Sequence, residues 1–166
     1  MKKITQKEYQ NRRKKLFTHM EDNSILVISG ENEKVRNNDV NYEFRQGSDF
    51  WYLTGIEEPD ALMILLKKDS EKYILFSQEK ITEEEVWTGY KIGTEKAKSY
   101  FLADLSYHNN QIDKLTEFLF GCERIYYNLG SSKKIDDLIF KGLENFKRTK
   151  SRTGIPNPLI IDPSIL

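Results

Sequence analysis

Ala61-Leu62-Met63-Ile64-Leu65-Leu66, the polar stretch Lys67 to Lys72, and Tyr73-Ile74-Leu75-Phe76 form the segment that decides the fold. Two apolar runs of strand length around a short polar connection read most economically as an antiparallel hairpin. A sheet containing that hairpin is not purely parallel. Upstream, Ser24 to Ser29 (SILVIS) is a short, β-branched run of the buried-strand type. Before it, Tyr9, Leu16, Phe17 and Met20 fall on one side of a helix spanning Thr5 to Met20, and Glu21 to Asn23 end it. The basic run Arg12 to Lys15 reads as the solvated face of that helix.

Between the first strand and the hairpin, Gly30 to Asn41 is polar and reads as a loop. Phe50 to Thr54 (FWYLT) reads as an interior strand, because alternate residues place large apolar groups on both faces. Downstream, Ile112, Leu115, Phe118 and Leu119 repeat at helical spacing, and Arg124 to Asn128 (RIYYN) reads as a strand. A last helix follows, with Ser131 and Ser132 as candidate caps and Ile135, Leu138, Ile139, Leu143 and Phe146 as its apolar stripe. Pro156, Pro158 and Pro163 punctuate an extended tail in which Leu159 to Ile161 adds a final strand. The expected architecture is an α/β domain, a mixed β-sheet flanked by helices. At 166 residues the chain supports one core, so a single domain over 1–166 is expected.

Composition narrows the function classes. Hydrophobic residues make up 38% and charged residues 31%, the balance of a folded domain with a solvated surface. Lys plus Arg equals Asp plus Glu at 26 each, which argues against nucleic-acid binding. The start, MKKITQKEYQ, is too polar for a signal peptide, and no stretch reaches the length of a membrane span, so a soluble, cytoplasmic protein is expected. The single cysteine, Cys122, reads as a buried reduced thiol.

The ligand census is sparse. His19 and His108 are the only histidines, far apart, and no His-Glu-x-x-His spacing is present. Glu83 to Glu85 form a solvated run, and Asp136 and Asp137 read as the outer face of a helix, so no acid/base pair is identifiable. No phosphate loop and no nucleophile elbow occurs. These residues alone define a soluble α/β domain without an assignable reaction.

One long stretch goes further. Asn38-Asp39-Val40, then Arg45-Gln46-Gly47-Ser48-Asp49-Phe50-Trp51-Tyr52-Leu53-Thr54-Gly55 and Glu58-Pro59, resembles the signature of the amino-terminal domain of Xaa-Pro aminopeptidases (aminopeptidase P, with a creatinase/prolidase-like amino-terminal domain). Tyr9-x-x-Arg12-Arg13, Val86-Trp87-Thr88-Gly89-Tyr90-Lys91-Ile92-Gly93 and Lys150-Ser151-Arg152 fall in the same order, so the resemblance spans nearly the whole chain. It departs at Glu43-Phe44 and at Gly47. Within the signature, Arg45 and Asp49 are candidates for an ion pair that fixes the loop, since neither is buried cheaply alone.

The resemblance implies a parent enzyme that removes the residue preceding proline. Its chemistry would reside in a second, carboxy-terminal pita-bread domain carrying two manganese ions on Asp, His and Glu ligands. That domain is absent here, which implies an isolated domain or a truncated product. The implied tasks of this chain are active-site access, substrate contact and homo-oligomer assembly, its partners being peptides with proline at the second position and its own catalytic domain. Trp87 and Arg152 are the candidate substrate contacts, reaching the active site of a neighbouring subunit; Asp39, Arg45 and Asp49 are structural. No catalytic residue and no metal ligand is expected in this chain. Similar domains occur in prolidases, creatine amidinohydrolases and a non-catalytic histone-chaperone subunit, which leaves a peptide-binding or interaction module as the alternative.

Overall fold

The computed structural model describes residues 4–37, 40–80, 91–154 and 157–166, with the backbone alone at 40, 41 and 149–153. The chain opens with helix α1 (Gln6–His19), started by Thr5, whose side chain accepts a hydrogen bond from the Glu8 N–H. Strand β1 (Ser24–Ser29) follows, then a small ribbon of β2 (Val35–Asn37) and β3 (Val40–Asn41), helix α2 (Ser48–Thr54), and the hairpin β4 (Leu62–Lys67) and β5 (Glu71–Ser77). Helix α3 (Gly93–Ser99), β6 (Leu105–His108), a 3₁₀ turn at Asn109–Lys114 and α4 (Leu115–Leu119) come next. Strand β7 (Arg124–Tyr126), α5 (Lys133–Thr153), β8 (Leu159–Ile161) and a 3₁₀ turn at Pro163–Ile165 complete the chain.

Six strands form one mixed sheet in the order β6-β5-β4-β1-β7-β8. The register confirms the hairpin: Leu62 lies opposite Phe76 and Lys67 opposite Glu71. Strand β4 is antiparallel to both β1 and β5, whereas β5–β6, β1–β7 and β7–β8 are parallel. Five strands therefore run one way and β4 alone runs back, so the carboxyl ends of β1, β5, β6, β7 and β8 all emerge at one edge.

Both faces of the sheet are buried, as the unbroken apolar runs of β1, β4 and β5 require. Leu62, Ile64 and Leu66 of β4 face α4 and α5 together with Ile25, Ile74 and Phe76. Met63 and Leu65 face α1, α2 and α3 with Leu26, Tyr73 and Leu75. Cys122 is fully buried and free, and burial pushes its thiol up to about 11, an inert core position.

Several expectations are corrected. Ser48–Thr54 is a helix, not a strand: Phe50, Leu53 and Thr54 are buried at helical spacing, and Tyr52 is 54% exposed. Gly47 and Gly55 bracket it, the latter in the left-handed region at φ 68°. Gly30–Asn41 is not all loop, since it contains the β2–β3 ribbon. The helix expected around Ile112 starts as a 3₁₀ turn, and only Leu115–Leu119 is α-helical.

The basic run is not simply solvated. Arg13 is 2% exposed and donates to the carbonyls of Leu53 (2.7 Å) and Phe101 (3.3 Å). Arg12 donates to the Tyr52 carbonyl at 2.9 Å and sits 4.2 Å over the Tyr52 ring. Asp136 likewise does more than cover an outer face: its Oδ1 accepts from the Tyr127 hydroxyl (2.9 Å) and the Gly130 N–H (3.1 Å), closing the turn before α5. The last helix runs through Gly142 and extends to Thr153, and Gly154, at φ 68°, follows it.

Gly55 supplies a test of this packing. A Cβ there would lie 2.5 Å from the Tyr9 ring, while at Gly154, with the same φ, none of the described residues comes within 4 Å. Gly154→Ala should cost about 1 kcal/mol from backbone strain alone, and Gly55→Ala about 2 kcal/mol or more from strain plus overpacking. Urea unfolding of the two variants checks the difference.

Candidate functional site

The common carboxyl edge of the five co-directional strands carries the open features of the molecule. After β1 the chain crosses to α2 on one face, and after β7 to α5 on the other, so a crevice opens where neighbouring connections diverge. Its volume is about 630 Å³, within the range of ligand-sized clefts. Leu26, Ile28, Phe50 and Leu53 contribute apolar lining, and Glu31, Asp49 and Asp162 contribute carboxylates. Asp162 accepts the Ser164 N–H at 2.8 Å, which holds its carboxyl below the usual range. Among the described lining residues none is a histidine, cysteine, lysine or arginine. The described lining thus offers apolar surface, carboxylate acceptors, and the hydroxyl and amide groups of Ser29, Ser48, Asn128, Ser131 and Ser164.

A buried polar network lies next to the crevice and meets its lining at Glu31 and Gly47. Gln46 is 8% exposed; its Oε1 accepts from the N–H groups of Glu31 (2.7 Å) and Gly47 (3.0 Å), and its Nε2 donates to the Glu58 carbonyl (2.9 Å). Glu58 is 6% exposed, and its two oxygens accept separately from the N–H of Gln78 (2.5 Å) and of Ile92 (2.8 Å). Lys91 donates to the Gln78 side chain, and the Gln78 amide donates to the Pro59 carbonyl at 3.1 Å. Burial raises the Glu58 pKa above the ordinary carboxyl value, outweighing the opposing pull of the two N–H groups and of Lys91. Glu58 and Gln46 both fall within the signature stretch, yet their roles escape a sequence reading. Their partners are mainly backbone groups, which leave no pattern in residue type; the Glu57-Glu58-Pro59 step ahead of an apolar strand is the only mark.

The structure does not gather the expected site residues. Trp87 and Asp39 lie outside the described residues. Arg152 falls in the last turn of α5, not after the helix, and only its backbone is described. Because α5 connects the parallel strands β7 and β8, it runs back along the sheet, placing position 152 near the opposite edge from Gln78. Arg45 and Asp49 are both exposed, so no burial cost compels them to pair, and among the described residues no ion pair joins them. His19 meets its own helix end, its Nδ1 lying 2.8 Å from the Lys15 carbonyl. Among the described residues no three His, Cys, Asp or Glu side chains are grouped to hold a metal, and no helix is long and apolar enough to cross a membrane.

The family described as Aminopeptidase P, N-terminal domain matches residues 9–126, and the chain belongs to that family. It is 30% identical over 161 residues to the Xaa-Pro aminopeptidase of Escherichia coli K12, covering 95% of this chain and 36% of that protein. It is 45% identical over 98 residues to the Xaa-Pro aminopeptidase of Haemophilus influenzae, covering 58% of this chain and 23% of that one. Among solved structures, zinc-substituted E. coli aminopeptidase P in complex with product superposes with a TM-score of 0.87 at 31% identity, covering 97% of this chain and 37% of that structure's chain. The chain thus spans roughly a quarter to a little over a third of its relatives' length.

The raised pKa of Glu58 has a sign that can be measured. The folded state holds this proton more tightly than the unfolded chain, so its contribution to stability is full below the ordinary value of 4.5 and is lost as pH rises through the folded pKa. The stability of the wild type relative to Glu58→Gln should therefore fall as pH is raised from 4.5 towards neutrality. Denaturant midpoints across that interval check it.

Proposed function

We propose that this chain is the non-catalytic amino-terminal domain of a metal-dependent Xaa-Pro aminopeptidase, which removes the amino-terminal residue preceding proline. The observation that carries the reading is the superposition of nearly the whole chain on part of E. coli aminopeptidase P, a protein of which it spans 37%. In this reading the parent's chemistry belongs to a further, carboxy-terminal domain that holds two manganese ions and activates water as a hydroxide. The described residues of this chain offer no matching ligand set, and no step of the reaction is assigned to them.

The single domain then serves active-site access, substrate contact and homo-oligomer assembly in the cytoplasm, with its own catalytic domain and peptides bearing proline at the second position as partners. Trp87 and Arg152 are the proposed substrate contacts, acting on a neighbouring subunit. The ends of the segment carrying Trp87 and the helix end carrying Arg152 lie at opposite edges of the sheet.

In the full-length enzyme, Trp87→Ala and Arg152→Ala should each lower kcat/KM on longer Xaa-Pro peptides about ten-fold, equivalent to about 1.4 kcal/mol of transition-state binding, with metal content unchanged. The 166-residue chain alone, given manganese, should not hydrolyse them. Unchanged kinetics in both variants with the assembly intact removes the substrate-contact role, and turnover by the purified short chain overturns the division of labour.

A further inference from the structure

We infer that the crevice is the seat of another part of the parent polypeptide: an apolar segment, following Leu166, that carries a lysine or arginine. The inference rests on the reading of this chain as one domain of a longer enzyme, and adds where and by what chemistry the rest of that enzyme meets it.

The crevice is a place where the core stays open. Leu16, Ile28 and Leu166 pack against the buried cluster under α1, α2 and α3, are themselves only partly covered, and line the crevice beside Phe50 and Leu53. Tyr52, also in the lining, is 54% exposed, and Ile165, between the lining residues Ser164 and Leu166, is 67% exposed. Apolar surface that continues a core and gathers in one concavity marks a contact site, unlike singly scattered exposure.

Three carboxylates surround this surface, each from a different part of the chain. Glu31 follows β1, Asp49 lies in the first turn of α2, and Asp162 precedes the 3₁₀ turn after β8. Among the described residues no ion pair involves Asp49 or Asp162, and Glu31 pairs at 3.7 Å with Lys34, which is outside the lining. An apolar floor within an acidic rim complements an apolar segment bearing a cation and disfavours an acidic one.

Two observations select the parent chain as the source of that segment. The chain spans 37% of its E. coli structural relative, so most of such a protein lies outside the match. Leu166 is itself a lining residue, held by a turn in which its N–H donates to the Pro163 carbonyl (3.0 Å) and the Ser164 N–H donates to Asp162 (2.8 Å). A continuation of the chain therefore starts inside the crevice. Tethering gives such a segment a high effective concentration there, which a free peptide lacks.

Access to a thiol reads the seat without substrate. Ser48 is exposed and lines the crevice, while the native Cys122 is fully buried. Alkylation of Ser48→Cys by iodoacetamide, located by peptide mass mapping, is compared between the 166-residue chain and the full-length enzyme. We expect it to be about ten-fold slower in the full-length enzyme, since thiol reactivity follows access. Adding Asp49→Lys and Asp162→Lys should speed alkylation in the full-length enzyme about three-fold or more relative to the same substitutions in the short chain, because the rim then repels the seated cation. Asp49→Asn with Asp162→Asn, which keeps the oxygen that accepts from Ser164, should act in the same direction and serves where the reversed pair does not fold. Equally fast alkylation in the two proteins, or protection unaffected by removing the carboxylates, would overturn the inference. So would protection that develops in the short chain alone as its concentration is raised, which assigns the crevice to a second copy.

None of these readouts depends on hydrolysis. A full-length protein that protects Ser48→Cys but does not cleave Xaa-Pro peptides keeps the seat and loses the proposed function. An active enzyme with unprotected Ser48→Cys keeps the function and loses the seat.

Discussion

Arg13 joins three helices of one face through a single cation. From α1 it donates to the carbonyl of Leu53 near the end of α2 and to that of Phe101 just beyond α3, while its guanidinium lies 3.9 Å from the centroid of the Tyr73 ring on β5. Helix carboxyl ends carry unpaired carbonyls with partial negative charge, so a buried cation there replaces the water those groups would otherwise need. Burial lowers the Arg13 pKa, opposed by Tyr73 and Asp104, and a guanidinium has ample margin to stay charged. A lysine presents one compact charge in place of a planar fork and could not span the same acceptors. Removing the cation would leave buried carbonyls unpaired, at about 1–3 kcal/mol each. That link works with the Arg12 bond to the Tyr52 carbonyl of α2 and the Glu58 bond to the Ile92 N–H before α3, adding polar ties to the apolar contacts that seat both helices on the sheet.

The lone reversal of β4 divides the molecule into two edges with different work. At its carboxyl end, Lys67 donates to the carbonyls of Phe17 (3.1 Å) and Met20 (2.8 Å) at the end of α1. Its neighbour Lys68 donates to the carbonyls of Phe118 (3.1 Å) and Phe120 at the end of α4, on the other face. Successive strand residues point to opposite sides, so two adjacent lysines cap helices of both layers. That edge is closed by structural bonds. At the opposite edge five strands end together, and there the chain forms the crevice, the Gln46–Glu58 network and the departure of segment 79–91.

The apolar framework is legible in the sequence because burial writes itself in residue type. Runs such as Ala61 to Leu66 and Ser24 to Ser29 have no alternative to a two-sided interior, and the stripe from Ile135 to Phe146 has no alternative to a packed helix. Phe50 to Thr54 misleads because aromatic residues favour strands locally and the period is ambiguous over so short a run. Gly47 and Gly55 are the signal that resolves it, marking both ends of a short helix. Arg12 and Arg13 show the opposite failure. Two adjacent arginines on a helix read as a solvated face, yet one is buried, because the carbonyls that pay for its desolvation come from residues 40 and 88 positions away.

The same reasoning explains why the candidate site is harder to read than the core. Gln46 and Glu58 make most of their contacts with main-chain atoms, which every residue possesses, so no spacing of partner side chains announces them. Only assembled geometry shows that one carboxylate spans two chain segments. Burying a carboxylate costs several kcal/mol, and hydrogen bonds from two N–H groups offset that cost without making it a cheap way to hold a loop. An apolar side chain would fill the space more favourably but could not fix both ends of a segment in one register. A polar device at that place therefore favours position over stability.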